Sequence, residues 1–373
     1  MVEWLAGNRI RGTSAEKPAL ALPSGSVGGW KEVGRYTLGE NRVDFDVTGL
    51  ADKRYYMYLI DAKFNDTNPR DLRMQTGNGS WDDSGDASGN YNERGSSNGG
   101  SEATGRWDFV TPCNGTGIAT PSFGVGYCSN KSDKEKLFQN WFVSQRAADA
   151  GSTGVPNRKE HVWKWANTSN PLDRLKVTRQ NNSDTTYLFS TDSQIVVLGW
   201  DPADTHTTNF WEQLGTSTTV TSNAIDVSFT AKKYLWIQGY YKQGSGTSGG
   251  MRFRVGNTTV DTGANYTERT SEDGDSEVTP IDQTELKFAL SGGSGSVGLF
   301  GFFNMFIINN ASNEKLIIDH VVNNQPGTGA GNAPRRLETV CKWANASDQI
   351  NVVKMYRSAD TLASGGVTVW GSD

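Results

Sequence analysis

Histidine and cysteine are scarce in this chain of 373 residues, with three of each. The histidines, His161, His206 and His320, are scattered through different sequence contexts. A structural or surface role is expected for each, with a pH-sensitive group as the functional alternative. Cys341 reads as a buried core residue, in keeping with the burial preference of free cysteine. Cys113 and Cys128 are compatible either with a loop-closing disulfide or with two thiols, because connectivity needs geometry. No pair of cysteines has zinc-site spacing. Lysine and arginine number 36 against 41 aspartates and glutamates, with no basic block, so duplex nucleic acid is not an expected partner. The longest apolar run, Leu299 to Ile308, is interrupted by Gly301 and Asn304 and is too short to span a bilayer, so no membrane insertion is expected. Met1-Val2-Glu3-Trp4-Leu5 lacks a basic n-region followed by a long apolar core, and no signal peptide is expected there. No stretch sustains a 3.6-residue period over helix length, which excludes a helical fold.

Catalytic signatures are equally thin. Two G-x-S-x-G strings occur, Gly95 to Gly99 and Gly246 to Gly250, but a nucleophile elbow needs a strand before it and a helix after it. Both are expected in Gly/Ser-rich loops with no helix following. Gly244 to Gly249 spells a dinucleotide fingerprint, yet it runs into the alternating stretch Met251–Val255 instead of opening a helix. Asp82 to Glu93 places oxygen-bearing side chains at five ligand positions of a calcium loop, with Ala87 where the sharp-turn glycine belongs. A polar turn between strands is the expectation, with calcium as the alternative. The acidic run Glu272–Glu277 reads as a solvated loop. Glu93, Glu268, Glu160 and Glu338 each lie near an arginine (Arg94, Arg269, Arg158 and Arg336), a pattern that paired structural ions explain. The expectation is therefore no catalytic residue, no metal ligand, no cofactor and no enzymatic activity.

The chain is rich in glycine, at 43 residues, and in aromatics, with 12 Trp, 12 Tyr and 15 Phe. That composition suits short strands joined by turns. It also repeats itself. Lys164-Trp165-Ala166-Asn167 returns as Lys342-Trp343-Ala344-Asn345 at an offset of 178. Glu135-Lys136-Leu137 matches Glu314-Lys315-Leu316, and Pro156, Arg158, Glu160 and Val162 match Pro334, Arg336, Glu338 and Val340. Asn90-Tyr91 with Glu93-Arg94 matches Asn265-Tyr266 with Glu268-Arg269, and Asp86 aligns with Asp261. Trp30 to Gly34 matches Trp211 to Gly215. The matches keep their order, which implies an internal duplication of a domain-sized unit. Three segments are expected: an extended N-terminal arm at 1–29, a first β-sandwich at 30–204 and a second at 205–373. Alternating or β-rich runs such as Val43–Val47, Tyr55–Ile60 and His161–Trp165 supply about eight or nine strands per unit. An immunoglobulin-type sandwich of about 100 residues is too small for that. The expected fold is all-β, two tandem jelly-roll-like antiparallel sandwiches. The arm, which could bury little surface alone, is expected to reach across an assembly contact.

Trp-x-x-x-Gly at the unit start, Asp-x-x-x-Asn-Tyr, Glu-Lys-Leu and Lys-Trp-Ala-Asn together resemble a group of virion proteins of environmental tailed phages and archaeal viruses. The opening Ala6-Gly7-Asn8-Arg9-Ile10-Arg11-Gly12-Thr13-Ser14 is similar to the start of such proteins. The resemblance implies a jelly-roll-like module displayed on a virus particle, as capsid, decoration, tail fibre or spike, and carries no catalytic residues. Self-association, with a homotrimer expected, and contacts with other virion proteins follow from it. A second reading is a pair of carbohydrate-binding modules that take a host surface glycan. Its candidate stacking aromatics are Trp81, Trp107 and Trp141, for which core or interface packing is the alternative.

Overall fold

The computed structural model describes residues 29–65, 70–82, 90–100, 103–107, 110–116, 121–145, 151–179, 188–202, 204–244, 250–275, 277–287, 299–324, 329–359 and 361–373, with backbone alone at 70, 103–107 and 110–116. The expected arm, apart from Gly29, and residues 83–89 of the candidate calcium loop lie outside the described residues.

All the regular structure described is strand. The first half holds β1 (Lys31–Thr37), β2 (Asp44–Thr48), β3 (Tyr55–Lys63), β4 (Arg70–Asn78), β5 (Ser80–Trp81), β6 (Tyr91–Ser97), β7 (Ala103–Trp107), β8 (Val110–Thr116), β9 (Pro121–Ser129), β10 (Lys136–Ser144), β11 (Asn157–Trp165), β12 (Arg174–Arg179) and β13 (Gln194–Trp200). The second holds β14 (Glu212–Ser217), β15 (Ala224–Ser228), β16 (Tyr234–Gln243), β17 (Met251–Asn257), β18 (Thr259–Val260), β19 (Tyr266–Glu272), β20 (Leu286–Lys287), β21 (Phe300–Ile308), β22 (Lys315–Asn323), β23 (Arg335–Trp343), β24 (Val352–Arg357) and β25 (Leu362–Ser372).

Each half is an antiparallel sandwich. The large sheet of the first runs β1-β13-β3-β9-β10-β11-β6-β7, and its small sheet β2-β12-β4-β5 with β8 beside β4. The second runs β14-β25-β16-β21-β22-β23-β19 over β15-β24-β17-β18 with β20 beside β17. The two orders coincide except for β7, which has no counterpart among the described residues of the second half. The winding is jelly-roll-like at the chain ends of each half, where early strands pair with late ones: β1 and β3 flank β13, while β2 and β4 flank β12.

The strand number departs from expectation. Among the described residues there are thirteen and twelve strands in place of about eight or nine. Directly after the expected polar turn at Asp82–Glu93 come β6, which already begins at Tyr91, and β7, whose polar, glycine-containing sequences carry no apolar alternation. In β9 the missing side chains are structural: a Cβ on Gly126 would meet the Tyr58 ring at 2.2 Å, and one on Gly124 the Phe142 ring at 2.2 Å. Large aromatics lie across bare backbone there, which hides the strand from any reading of its own sequence.

Three apolar layers hold four sheets in a stack. Within the first half, Phe45, Met74 and Val177 of the small sheet meet Tyr56, Tyr58 and Ile60 of the large one. Within the second, Phe253 and Met355 meet Ile237, Phe303 and Met305. A third layer joins the two large sheets back to back. β3 and β13 are consequently buried on both faces, Tyr58 and Ile60 turning inward while Met57 and Leu59 turn to the other half.

Candidate functional site at the seam of the two sandwiches

The repeated motif is scaffold. Lys136 Nζ donates to the carbonyls of Ser132, Lys134 and Asn167, and Lys315 Nζ to those of Ala311, Asn313 and Asn345. Asn167 Oδ1 caps the turn by accepting from the amides of Ser169 and Asn170, as Asn345 Oδ1 does from Ser347 and Asp348. Trp343 Nε1 donates to Asp261 Oδ2 at 2.7 Å, and Trp165 Nε1 to Asp82 Oδ2 at 2.5 Å. Asp82, and not Asp86, is therefore the counterpart of Asp261: the matching hydrogen bond to the tryptophan shows it, whereas alignment by nearest Asp-x-x-x-Asn does not. Asp86 itself lies outside the described residues. The Asp82 carboxylate is engaged by Trp165 and Asn90, and Glu93 by His161.

Glu93 and Glu268 have partners beyond the arginine next to them in sequence. Neighbouring residues on a strand face opposite sides: Glu93 meets His161, Glu268 accepts from the Lys287 amide, and Arg269 pairs with Glu277. Glu93 Oε2 lies 2.7 Å from His161 Nε2, and the Asn140 amide follows at 3.3 Å from His161 Nδ1, next to the Tyr58 hydroxyl. Burial lowers the His161 pKa against the pull of Glu93. At the corresponding place in the second half, Glu268, Asp319 and Cys341 share the interior with Thr339. Burial raises Glu268 to about 7 and Asp319 well above the usual carboxylate range. Cys341 is a free buried thiol, as expected, and Cys128 is free and buried too. The side chain of Cys113 lies outside the described residues.

The seam is where side chains from both repeats meet. Its apolar centre includes Leu59, Val125 and Val196 against Phe306, Ile318 and Val340. On one flank an ion network crosses between halves. Arg158, 8% exposed, reaches Glu277 at 3.0 Å, Glu338 at 3.2 Å and its own strand neighbour Glu160 at 3.2 Å. Arg269 holds the other Glu277 oxygen at 2.6 Å, and His320 stands 3.7 Å from Glu160. Burial would raise the Glu160 pKa, but His320, Arg158 and Arg336 outweigh it and the net shift is downward. On another flank lies a polar cleft of about 360 Å³ lined by Thr37, Asp61, Lys63, Ser193, Lys233 and Asn310 among others. Lys233 pairs with Asp61 at 3.0 Å across it, and Asn310 donates to the same carboxylate at 2.8 Å.

The three candidate aromatics are not brought together. Trp141 packs in the seam, its ring 6.0 Å from Tyr127 and 5.3 Å from His320. Trp81, on the two-residue strand β5, has Lys176 over its ring at 4.5 Å and Arg174 at 5.4 Å. Trp107 ends β7 opposite Tyr91, and its side chain lies outside the described residues. Among the described residues no group of three or more His, Cys, Asp or Glu is placed to hold a metal ion. The sequence reading missed the seam itself. Its signal was present in Met305-Phe306-Ile307-Ile308, four consecutive apolar residues buried on both faces of β21.

No protein-family model matches the chain, and no curated protein matches it. Among solved structures it is similar to domains LG4-5 of the mouse laminin alpha1 chain, at 8% identity and TM-score 0.19, covering 92% of this chain and 88% of that one. Human GIVD cytosolic phospholipase A2 follows at 7% identity and TM-score 0.14, covering 86% of this chain and 33% of that one. Pseudomonas aeruginosa OpdL aligns at 5% identity and TM-score 0.11, over 81% and 97% of the two chains. Likeness this slight carries nothing about function.

Proposed function

We propose that this chain is a non-enzymatic structural protein of a virus particle, at its surface or in its tail, acting in assembly and in host attachment. The observation that carries the reading is where the repeated polar residues go. The Lys, Trp, Asn and Asp of both halves are consumed in matching internal hydrogen bonds, which supports a rigid body over a reaction centre for the residues that carry the resemblance. A body of this kind works through its surfaces, as a homo-oligomer, a trimer by our reading, and with other virion proteins. Quantitative mass spectrometry of purified particles tests it. Hundreds of copies per particle place the protein in a shell, tail-tube or decoration layer, and a few to a few dozen place it in a fibre or spike. Its absence from particles sinks the proposal.

The polar cleft favours a second reading, a glycan-binding surface protein. Its carboxylate, amide, hydroxyl and ammonium groups around about 360 Å³ suit a polyhydroxylated ligand better than the dispersed tryptophans do. Glycan-array binding lost in Lys63→Ala and kept in Trp81→Ala supports the cleft. Loss in Trp81→Ala alone moves the site to the β5 edge.

A further inference from the structure

The facing surface of the second large sheet extends beyond what the first half covers. On β21, Phe300 and Phe302 share a face with Phe306 and Ile308, which are buried in the seam, yet they are 47% and 41% exposed. Phe302 lies between Tyr240 and Val322 in register, and the Phe300 ring is 6.1 Å from that of Tyr240. Tyr240 and Val322 are 40% and 42% exposed. Four of the eight exposed large apolar residues among those described thus gather in one patch continuous with an established interface. Contiguous exposed apolar surface marks a contact site more often than scattered single residues do.

The strand register identifies what covers such a patch. Phe302↔Val322 lies six pairs along from Ile308↔Leu316, as Phe123↔Val143 lies six pairs along from Ser129↔Leu137. Phe302 and Val322 therefore stand where Phe123 and Val143 stand in the first half. Those two are buried at 1% and 0%, in the seam, with the Tyr234 ring 6.4 Å from Phe123. Leu316 and Val340 of the second half are buried in the same layer. By the same register the first-half counterparts of Leu316 and Val340 are Leu137 and Val162, which are 57% and 48% exposed. The chain carries an uncovered patch together with uncovered counterparts of the residues that share a buried layer with its equivalent.

We infer that the patch of Tyr240, Phe300, Phe302 and Val322 docks onto Leu137 and Val162 of a second copy of this chain, repeating between molecules the contact made within one. The contact joins two different surfaces, so it propagates from copy to copy and closes as a ring or runs on as a filament. The inference rests on the self-association in the proposed function, and not on the placement in a virus particle.

The test uses the full chain in solution, with mass photometry over a concentration series and light scattering at higher concentration. Phe302→Asp and Leu137→Asp change exposed positions, so circular dichroism should match the parent. Each should raise the half-assembly concentration by about a hundredfold or more, the cost of placing an unpaired carboxylate in an apolar contact. In a Cys113→Ser background, a chain with Phe302→Cys mixed with one carrying Leu137→Cys should form a disulfide between the two variants, and neither should link to itself. A parent chain monomeric throughout, assembly unchanged in Phe302→Asp, or Phe302→Cys linking mainly to itself overturns the inference. Particle copy number is scored separately: abundant protein in particles with assembly unaffected by Phe302→Asp removes this docking surface and leaves the structural role intact.

Discussion

Trp343 and Asp261 show what a repeated residue does. The Trp343 side chain is 2% exposed, and its Nε1–H donates to Asp261, which also accepts from the Gly263 amide and Asn265. Burial would raise the Asp261 pKa, but those three donors outweigh it and the carboxylate is held below its usual range. Trp343→Phe keeps most of the ring volume and removes one donor from that carboxylate. It should cost about 1–3 kcal/mol in urea unfolding, and Trp165→Phe should cost a similar amount through Asp82. The repeated Lys-Trp-Ala-Asn was legible in the sequence because identity is visible there. Its partner was not, because the pairing of tryptophan with an aspartate 82 residues upstream exists only once β23 and the β18 turn are side by side.

Glu268 carries a prediction of the opposite sign to the usual carboxylate. Burial holds its folded pKa at about 7, above the ordinary 4.5, so the folded chain keeps a proton that the unfolded chain releases in between. The stability this contributes is fully present below about pH 4.5 and is lost as pH rises through about 7. Asp319, raised by burial and then by Glu268, adds in the same direction. A pKa moved from 4.5 to about 7 corresponds to about 3 kcal/mol. The melting temperature should therefore fall between about pH 5 and about pH 8, and Glu268→Gln should remove much of that fall. A flat parent profile would mean that both acids ionise without penalty.

At the scale of the element, β9 shows why strands escaped the sequence reading and how tightly they are packed. Strands with alternation or dense β-formers, such as β2, β3 and β11, were visible. β9 is built on glycines that let Tyr58 and Phe142 cross it, and β6 and β7 on polar residues. Periodicity reports a strand only when the strand supplies its own side chains to a face. Gly126→Ala puts a methyl 2.2 Å from the Tyr58 ring, whose hydroxyl is tied to Asn140 and cannot swing away freely. It should destabilise by about 1–3 kcal/mol. Gly79→Ala, where no atom lies within 4 Å but φ is +68°, should cost about 1 kcal/mol through backbone conformation alone. Comparing the two by thermal unfolding separates steric from conformational cost.

Over the whole molecule, the sequence matches between the halves were legible and the seam was not, because a contact between the halves leaves no trace in the matching of one to the other. Arg158 and Arg336 match in sequence but not in role. Arg158 is 8% exposed and bridges to Glu277 and Glu338 in the other half, while Arg336 is 59% exposed and pairs with Glu338 of its own strand at 3.3 Å. The asymmetry follows from position: one copy of the residue lies beneath the opposing sheet and the other beside it. Arg158→Met retains the stem volume and removes the charge. Glu277 keeps Arg269 and Glu338 keeps Arg336, so the loss should be about 2–3 kcal/mol, under the cost of a buried charge left with no partner. Calorimetry decides what that loss acts on. The apolar layer shared by both large sheets should make the halves unfold in one transition, and Arg158→Met should lower that single transition as a unit. Two resolved transitions in the parent would mean that each sandwich is stable alone and that the seam merely aligns them.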